Sequence, residues 1–497
     1  MKHESDVTEL LSTVIHEHGG FGLQHCRQDE ISERHQDLIC MLLSRLLRIW
    51  QEIANMDKSQ EPRGELEGPA SEYIVAADFQ RIKSLLEEVG EWNGRLERTV
   101  QALTWALSIS SSSPQKTMNN LDAIANDPRA RRLGWVTPAH LRKIVLAVGN
   151  PQVPRSELPV PYLKLEDNSI LRSKILSENL IIGYTATGNR ARLVEFFPYE
   201  RVCTLTAKSE LLDHAEALRR IEQLSALFHI NQDPSFRLPF SSGYYHDSQQ
   251  ARYGIVFNPL LHDCGQLKVV TLENILFWKP STKSNRTLRP DLGSRFKLAY
   301  TLTLSLSKIQ SIGWYHQGIR SENVIFVSTA DRFEDSKDIC WDEPWWVGYS
   351  TARPDTFDSI PGYDPSPVRN WYRHPDRWGQ QPKSFNKVHD IYSIGVVLLE
   401  IGIWAPISKS VTAISLENSN RDQSGEAARQ KLVSLAKNGR VADLMGQQYT
   451  SIVELCLQGN SAAFGVMPGE DDDDDSLLQK AFLEQVVDPI RRAAELV

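Results

Sequence analysis

The chain has 497 residues, of which 41% are hydrophobic and 24% are charged. This length allows two or three domains with a large core, and the composition is that of a globular protein. The net charge of −8 argues against a nucleic-acid-binding protein, whose surface is usually basic. The six cysteines are scattered without a C-x-x-C pair, which disfavours disulfide and zinc sites and predicts reduced thiols in a cytoplasmic protein.

No targeting or membrane segment is predicted. The first residues, Met1–Asp6, lack the apolar core of a signal peptide. The longest apolar run, Ile391–Ser408, is interrupted by Glu400, which indicates a buried helix rather than a membrane span.

Residues 1–115 are predicted to form a helical bundle, because apolar residues recur there at helical spacing in two stretches. The first stretch contains Leu38, Leu42, Leu43, Leu46, Leu47, Trp50 and Ile53, and the second contains Ile82, Leu85, Leu86, Val89, Leu96, Val100, Leu103 and Leu107. Residues 116–164 are predicted to be short helices followed by a linker, since Pro151–Pro161 contains four prolines.

Strand patterns begin after this linker. Short apolar strands are predicted at Leu180–Ile182, Ala191–Phe197 and Tyr253–Phe257, with one long helix between the second and the third. A helix through Ala299–Ile309 follows, and most of the remaining chain has a helical pattern. This order predicts an α+β fold in which residues 165–262 form a sheet with one helix and residues 263–497 form a helical part.

The most informative stretch is Trp314–Phe326. It has the layout of a protein-kinase catalytic loop, H-R-D-L-x-x-x-N followed by an apolar strand. His316 and Asn323 match the motif, but Gly318 stands where the catalytic aspartate belongs and Gln317 replaces the arginine. A glycine cannot accept a proton, so this loop predicts a chain that keeps the kinase scaffold and lacks the catalytic group.

Residues 165–497 resemble the protein-kinase superfamily, and are most similar to the divergent kinase-like domain of fungal proteins that also carry a helical HeLo-type, prion-inhibition-and-propagation domain. The residues that carry the resemblance occur in order along the chain: Asp291–Ala299, Gly318–Val324, Val347–Ser350, Tyr372–Arg377, Asp390–Gly395 and Met445–Tyr449. The resemblance implies a two-lobed kinase-like fold. It also implies that Val347–Ser350 stands at the D-F-G motif, so that Gly348 replaces the magnesium-binding aspartate. The N-terminal resemblance to HeLo-like domains depends on helicity and on Leu103–Leu107.

The remaining kinase positions are also altered. The third strand should carry a lysine for the nucleotide phosphates, but it offers Glu195, while Arg190, Arg192 and Arg201 are predicted to be surface cations. Gly183 and Gly188 enclose a segment that favours a plain hairpin turn over a phosphate-binding loop. Asn323 is a vestigial cofactor-binding candidate that we expect to form a hydrogen bond within its own loop, because a single amide is a poor magnesium site.

The structural residues of the motif remain. His316 is expected to pack under the activation segment, Asp390 to accept backbone N–H bonds from the catalytic loop, and Arg320 to fill part of the emptied site. His374 and His389 are interpreted as isolated histidines rather than as metal ligands.

The sequence therefore predicts a catalytically inactive, kinase-like binding or scaffold protein of the cytoplasm, in fungal signalling or self/non-self recognition, with protein partners. No resident cofactor or metal is expected. The alternative is an active atypical Ser/Thr kinase that uses ATP and Mg²⁺ and recruits Asp342, Glu343 or Asp355 as replacement ligands. Membrane contact through the N-terminal helices is a further alternative, and it is disfavoured because acidic residues such as Glu17, Asp29 and Glu33 interrupt them.

Overall fold

The computed structural model of the chain describes fourteen ranges of residues: 41–52, 80–92, 114–149, 170–185, 191–199, 214–230, 233–258, 268–278, 288–328, 336–354, 368–378, 383–410, 421–466 and 473–497. Positions 82, 86 and 91 are omitted from the second range, and positions 127, 129–130 and 132–134 from the third. They belong to two compact units. One comprises Met1–Val136 with Gly469–Lys480, and the other comprises Thr137–Pro468 with Ala481–Val497. Leu103–Leu107 and the proline-rich linker lie outside the described residues.

In the first unit, residues 41–52 are helical, and helical residues recur between 80 and 92. Two ion pairs join these stretches, Arg45 with Glu88 and Arg81 with Glu52. The position in the first stretch rises by seven, from Arg45 to Glu52, while the position of the partner in the second stretch falls by seven, from Glu88 to Arg81. The two helical stretches therefore run antiparallel. Their shared interior is apolar, formed by Leu42, Leu43, Leu46, Ile49, Leu85 and Val89. Trp50, predicted on the apolar face, is instead about half exposed (51%), and Ile49 takes the buried position beside it.

Twelve helices and ten strands of the described residues have defined ends. The helices are α1 Pro114–Asn126, α2 Val136–Gly149, α3 His214–Ile230, α4 Leu272–Phe277, α5 Leu292–Ser311, α6 Lys387–Ile403, α7 Ile407–Ser410, α8 Arg421–Lys437, α9 Arg440–Met445, α10 Gln447–Gln458, α11 Asp473–Phe482 and α12 Asp488–Leu496. The strands are β1 Ile170–Ser177, β2 Leu180–Thr185, β3 Ala191–Pro198, β4 Phe240–Asp247, β5 Arg252–Asn258, β6 Lys268–Thr271, β7 Trp314–Tyr315, β8 Val324–Ser328, β9 Trp345–Trp346 and β10 Arg353–Pro354. The chain is thus a mixed, mainly helical α/β protein with small antiparallel sheets.

The largest described sheet has five antiparallel strands in the order β1-β2-β3-β5-β4. In β3, Val194 and Phe196 pack with Val256 on one face. Because side chains alternate along a strand, Glu195 lies on the opposite face with its neighbours Leu193 and Phe197. Two smaller sheets, β6-β8-β9 and β7-β10, contain the strands on either side of the loop His316–Asn323, which is called the catalytic-like loop below.

The predicted strands at 180–182, 191–197 and 253–257 are confirmed as parts of β2, β3 and β5. Sequence analysis did not predict β1, β4, β6 or the two-residue strands β7 and β10. The reason is clear in β4, whose polar sequence FSSGYYHD contains a bulge between Ser241 and Gly243 that breaks the alternation of side chains. The helix α11 begins at Asp473, inside a run of acidic residues, where carboxylates favour a helix start.

The helix α6 forms the centre of the helical part. Asn386 and His389 form a capping box at its start, and sixteen of its seventeen residues are buried. The helix α10 packs on it closely, since the hydroxyl of Tyr449 donates to the carbonyl of Leu398 at 2.9 Å. The N-cap of α5 is Asp291, whose carboxylate accepts the N–H of Ser294 at 2.6 Å. Within the described residues, no helix combines the length and apolarity needed to cross a bilayer.

We expect Phe228→Ala in α3 to destabilise the second unit by about 3–5 kcal/mol, because a buried ring leaves a cavity when removed. The Phe228 ring is fully buried and lies 5.3 Å from the Phe257 ring and 4.6 Å from the Tyr349 ring, centroid to centroid. Urea unfolding followed by tryptophan fluorescence measures the loss. The control is Ile175→Ala on β1, where the side chain is 74% exposed and the cost should stay below about 0.5 kcal/mol. Equal costs for the two variants would contradict the packing described.

Candidate functional site

The loop after β7 is held in place by one buried carboxylate. Asp390, on the first turn of α6, accepts the backbone N–H of His316 at 2.9 Å and that of Gln317 at 3.0 Å. Burial raises the pKa of Asp390 to about 7, and these two N–H bonds oppose the rise. Gln317 has a left-handed φ of 58°, which turns the chain sharply toward Gly318. The loop is therefore fixed by backbone contacts to α6.

His316 is buried and neutral. Burial and the charge of Arg320 lower the pKa of its imidazole to about 3. Its Nδ1 atom accepts the N–H of Gly318 at 3.2 Å, and its ring lies 4.6 Å from the ring of Tyr349. His316 thus packs between the loop and the segment that begins at Gly348.

Gly318, Asn323 and Gly348 meet in one place. The amide Nδ2 of Asn323 donates to the carbonyl of Gly318 at 2.7 Å, and the carbonyl of Asn323 accepts the N–H of Val347 at 2.9 Å. A Cβ atom built on Gly318 would lie 2.7 Å from the carbonyl oxygen of Gly348. A Cβ atom on Gly348 would lie 2.1 Å from Nδ2 of Asn323. As the chain is folded, neither glycine position has room for an aspartate.

Glu195 is turned into the protein. Its side chain is buried, its Oε2 atom accepts the N–H of Gly348 at 3.0 Å, and its Oε1 atom accepts the N–H of Tyr349 at 2.6 Å. Burial raises the pKa of Glu195 to about 7, while the backbone N–H groups of Gly348, Tyr349 and Ser350 and the charge of Arg220 oppose the rise. Glu195 therefore binds the backbone at the start of the segment Gly348–Ser350.

Arg320 takes part in a chain of ion pairs. Its Nε atom lies 2.8 Å from Oε1 of Glu322, and the Nε atom of Arg369 lies 3.0 Å from the same oxygen. Arg369 also lies 3.7 Å from Glu178, which sits in the two-residue turn between β1 and β2. Glu273, nearby, has a pKa raised by burial and by Glu322, and the two arginines oppose that rise. This network ties the β1–β2 turn to the catalytic-like loop.

Other predicted site residues lie elsewhere. Asp342 and Glu343 are exposed, and their charges raise the pKa of Arg237, which burial lowers. Asp355, Arg190 and Arg201 lie outside the described residues, and Arg192 donates to the carbonyl of its neighbour Ala191 at 3.1 Å. The segment between Gly183 and Gly188 connects β2 and β3, which pair as antiparallel neighbours through Tyr184 and Ala191.

The two histidines that sequence analysis treated as isolated lie together. The ring centroids of His374 and His389 are 4.6 Å apart, and ligand atoms of these two residues and of Asp376 lie within 4.8 Å of one another. Three of the ring nitrogens have backbone partners. Nδ1 of His374 accepts the N–H of Asp376 at 3.0 Å, its Nε2 bonds to the carbonyl of Gly459 at 2.7 Å, and Nδ1 of His389 accepts the N–H of Asn386 at 3.2 Å. Through these bonds the two histidines cap backbone segments.

Sequence reasoning missed Arg220, Arg369 and Tyr372. Arg220 lies outside the apolar stripe of α3, so helical spacing gave no signal for it. Tyr372 donates to Glu400 at 2.8 Å, and its own oxygen lies 2.9 Å from the hydroxyl of Ser321. Glu400 inside an apolar run was the one visible signal, since a fully buried acid requires partners.

A family model described as "Domain of unknown function (DUF7580)" matches residues 236–496, which is more than half of the chain. None of the curated proteins compared with the chain matches it.

We expect Gly348→Ala to cost about 2–5 kcal/mol of unfolding free energy. Its φ of 85° strains any side chain, and the new Cβ would clash with Asn323. Gly439→Ala is the matched control, because Gly439 has a φ of 90° but nothing within 4 Å of its Cβ position, so only the strain of about 1–2 kcal/mol remains. Chemical unfolding compares the two. Equal losses would show that Gly348 is not crowded.

We expect Glu400→Gln to change the pH dependence of stability. Burial raises the pKa of Glu400 to about 7, above its ordinary value of 4.5, so the folded state prefers the protonated form. The stability from this preference is present at low pH and is lost as the pH rises toward and through 7. The neutral variant does not undergo this loss. Relative to the wild type it should therefore gain about 2–3 kcal/mol between pH 5 and pH 8.

Urea titrations of both proteins at several pH values measure this difference. Glu216→Gln, which alters an exposed carboxylate on α3, is the control and should leave the pH dependence unchanged. A Glu400→Gln curve parallel to that of the wild type would contradict the assignment.

Proposed function

The chain belongs to the family described as "Domain of unknown function (DUF7580)", and we propose that it is a catalytically inactive, protein-kinase-like binding or scaffold protein. In this proposal, residues 165–262 are a kinase-like N-lobe and residues 263–497 a helical C-lobe. The five-stranded sheet with α3 between β3 and β4 supports the first assignment. The loop between α5 and β8, bound by Asp390, supports the second.

The observation that carries the proposal is the contact among Gly318, Asn323 and Gly348. Phosphoryl transfer requires a group that orients the attacking hydroxyl and carboxylates that hold Mg²⁺ beside the phosphates. At Gly318 and Gly348 even a Cβ atom would approach a neighbouring atom to 2.7 and 2.1 Å. Removing one transition-state group usually lowers a rate by about 100-fold or more, so the combined loss leaves no useful rate.

Glu195 supports the same conclusion through its charge. A carboxylate at the lysine position repels phosphate by roughly 4 kcal/mol at ~4 Å and an effective dielectric constant of about 20. Its two oxygens already accept backbone N–H groups. The site as folded therefore serves internal structure.

The N-terminal unit is proposed to be an interaction module. Its resemblance to HeLo-like domains motivates a role in fungal signalling or self/non-self recognition with a protein partner. Two helical stretches joined by the Arg45–Glu88 and Arg81–Glu52 ion pairs, with leucines buried between them, favour a bundle over membrane insertion.

We expect isothermal titration of the full chain with millimolar ATP to give no binding heat, with or without Mg²⁺. We also expect no transfer of labelled γ-phosphate to the chain or to a generic protein substrate. An active protein kinase in the same buffers is the positive control. Transfer that disappears in Asn323→Ala would overturn the proposal in favour of an atypical kinase, because Asn323 is the remaining magnesium-type residue of the motif.

A further inference from the structure

Segment Gly348–Ala352 is held at its two ends by opposite charges. At its start, Glu195 of β3 accepts the N–H groups of Gly348 and Tyr349 at 3.0 and 2.6 Å. At its end, Nη2 of Arg220 from α3 donates to the carbonyl of Ala352 at 3.0 Å. The segment forms a short 3₁₀ turn over Tyr349–Thr351, so the acid meets its N–H end and the base meets its carbonyl end.

The order of charges is the reverse of the kinase arrangement, in which the strand provides the lysine and the helix provides the glutamate. Here β3 provides the acid and α3 provides the base. The positive charge of Arg220 also acts on Glu195 and opposes the rise of its pKa. The strand and the helix are thus still coupled electrostatically, but both charges are directed at the protein's own backbone.

The N–H end of the segment has the geometry of an anion-binding nest. Gly348 has a left-handed conformation (φ 85°, ψ 40°) and the next residues are helical, which directs successive N–H groups to one point. That point is filled by the carboxylate of Glu195, whose side chain is 2% exposed. A buried charge persists only where bonds of this kind compensate for lost hydration.

We propose that Glu195 is a built-in anion: its carboxylate occupies the N–H nest of Gly348–Ser350, where it locks the segment to β3 and closes this part of the site to phosphate-bearing ligands. The inference rests on the proposed function only in treating the site as one that takes no nucleotide. A chain of ion pairs from Glu178 through Arg369 to Glu322 also joins the β1–β2 turn to the loop after β7.

Removing the side chain should open the nest to a small external anion. In Glu195→Ala the N–H groups lose their acceptor, and the cavity left behind has the size and polarity for formate. We expect the Tm of this variant to fall by roughly 5–10 °C in sodium chloride and to recover by roughly 2–4 °C in about 200 mM sodium formate at matched ionic strength. Thermal unfolding of the full chain measures both changes.

Three proteins serve as controls. The wild type should not respond to formate, because its nest is filled. Glu195→Gln fills the same space but keeps a single acceptor oxygen, so it should be less stable than the wild type and equally unresponsive. Glu222→Ala removes a half-buried acid of α3 that accepts one hydroxyl, that of Tyr244 at 3.1 Å, and should show no formate effect.

Three results would overturn the proposal: a Glu195→Ala Tm equal to that of the wild type, a Glu195→Ala Tm that is the same in formate and chloride, or a wild-type Tm that rises in formate. If Glu195→Ala does not fold in chloride, the recovery of folded protein after dilution from urea replaces Tm. More folded protein in formate than in chloride then supports the proposal, and equal recovery overturns it. If the formate experiment fails while the wild type binds no ATP, only this inference is wrong. If the wild type transfers phosphate, the proposed function is wrong.

Discussion

The approach of two backbone segments at Gly318 and Gly348 is the constraint on which the site depends. The carbonyl of one glycine lies where the other would carry a side chain, and the amide of Asn323 fills the space beside them. The bonds from Asp390 to the loop and from Glu195 to the second segment then fix both partners of the contact.

Buried carboxyl groups perform this fixing throughout the second unit. Asp390, Glu195 and Glu400 each accept backbone N–H groups that no regular helix or strand satisfies. Burial raises the pKa of each to about 7. Each acid therefore loses its hydration on folding and gains hydrogen bonds to backbone N–H groups that have no acceptor in a helix or strand. All three carboxyl groups are thus directed at the polypeptide itself.

The sequence was sufficient for the order of elements where the apolar pattern is strong. The strands β2, β3 and β5 and the long helices α3, α5 and α6 follow directly from their spacing. Strand β4 could not be recognised, because its bulge and polar residues hide the two-residue period. The interpretation of Gly318, Gly348 and Glu195 as altered motif positions came from the sequence alone and stays a prediction. The partners of the Glu195 side chain could not be predicted, because they belong to a segment about 150 residues later in the chain. A sequence does not show which backbone N–H groups of such a segment lack another acceptor.

Arg220 and Arg369 show the same limit from the other side. Each is one cation among many on a polar helix face or loop, and only the folded chain reveals which carbonyl or carboxylate it meets. The histidines His374 and His389 were misjudged for a related reason. They are fifteen positions apart, and a turn followed by a capping box brings their rings together.

The Phe228 ring has a practical consequence for dissecting the molecule. It touches Phe257 of the sheet and Tyr349 of the segment after β9, so sheet, helix and segment share a single aromatic core. A truncated chain that ends before residue 349 would leave these rings facing water. Fragments cut between the sheet and the helical part are therefore expected to aggregate and to be poorly soluble. Boundaries for expression should keep both parts on one polypeptide.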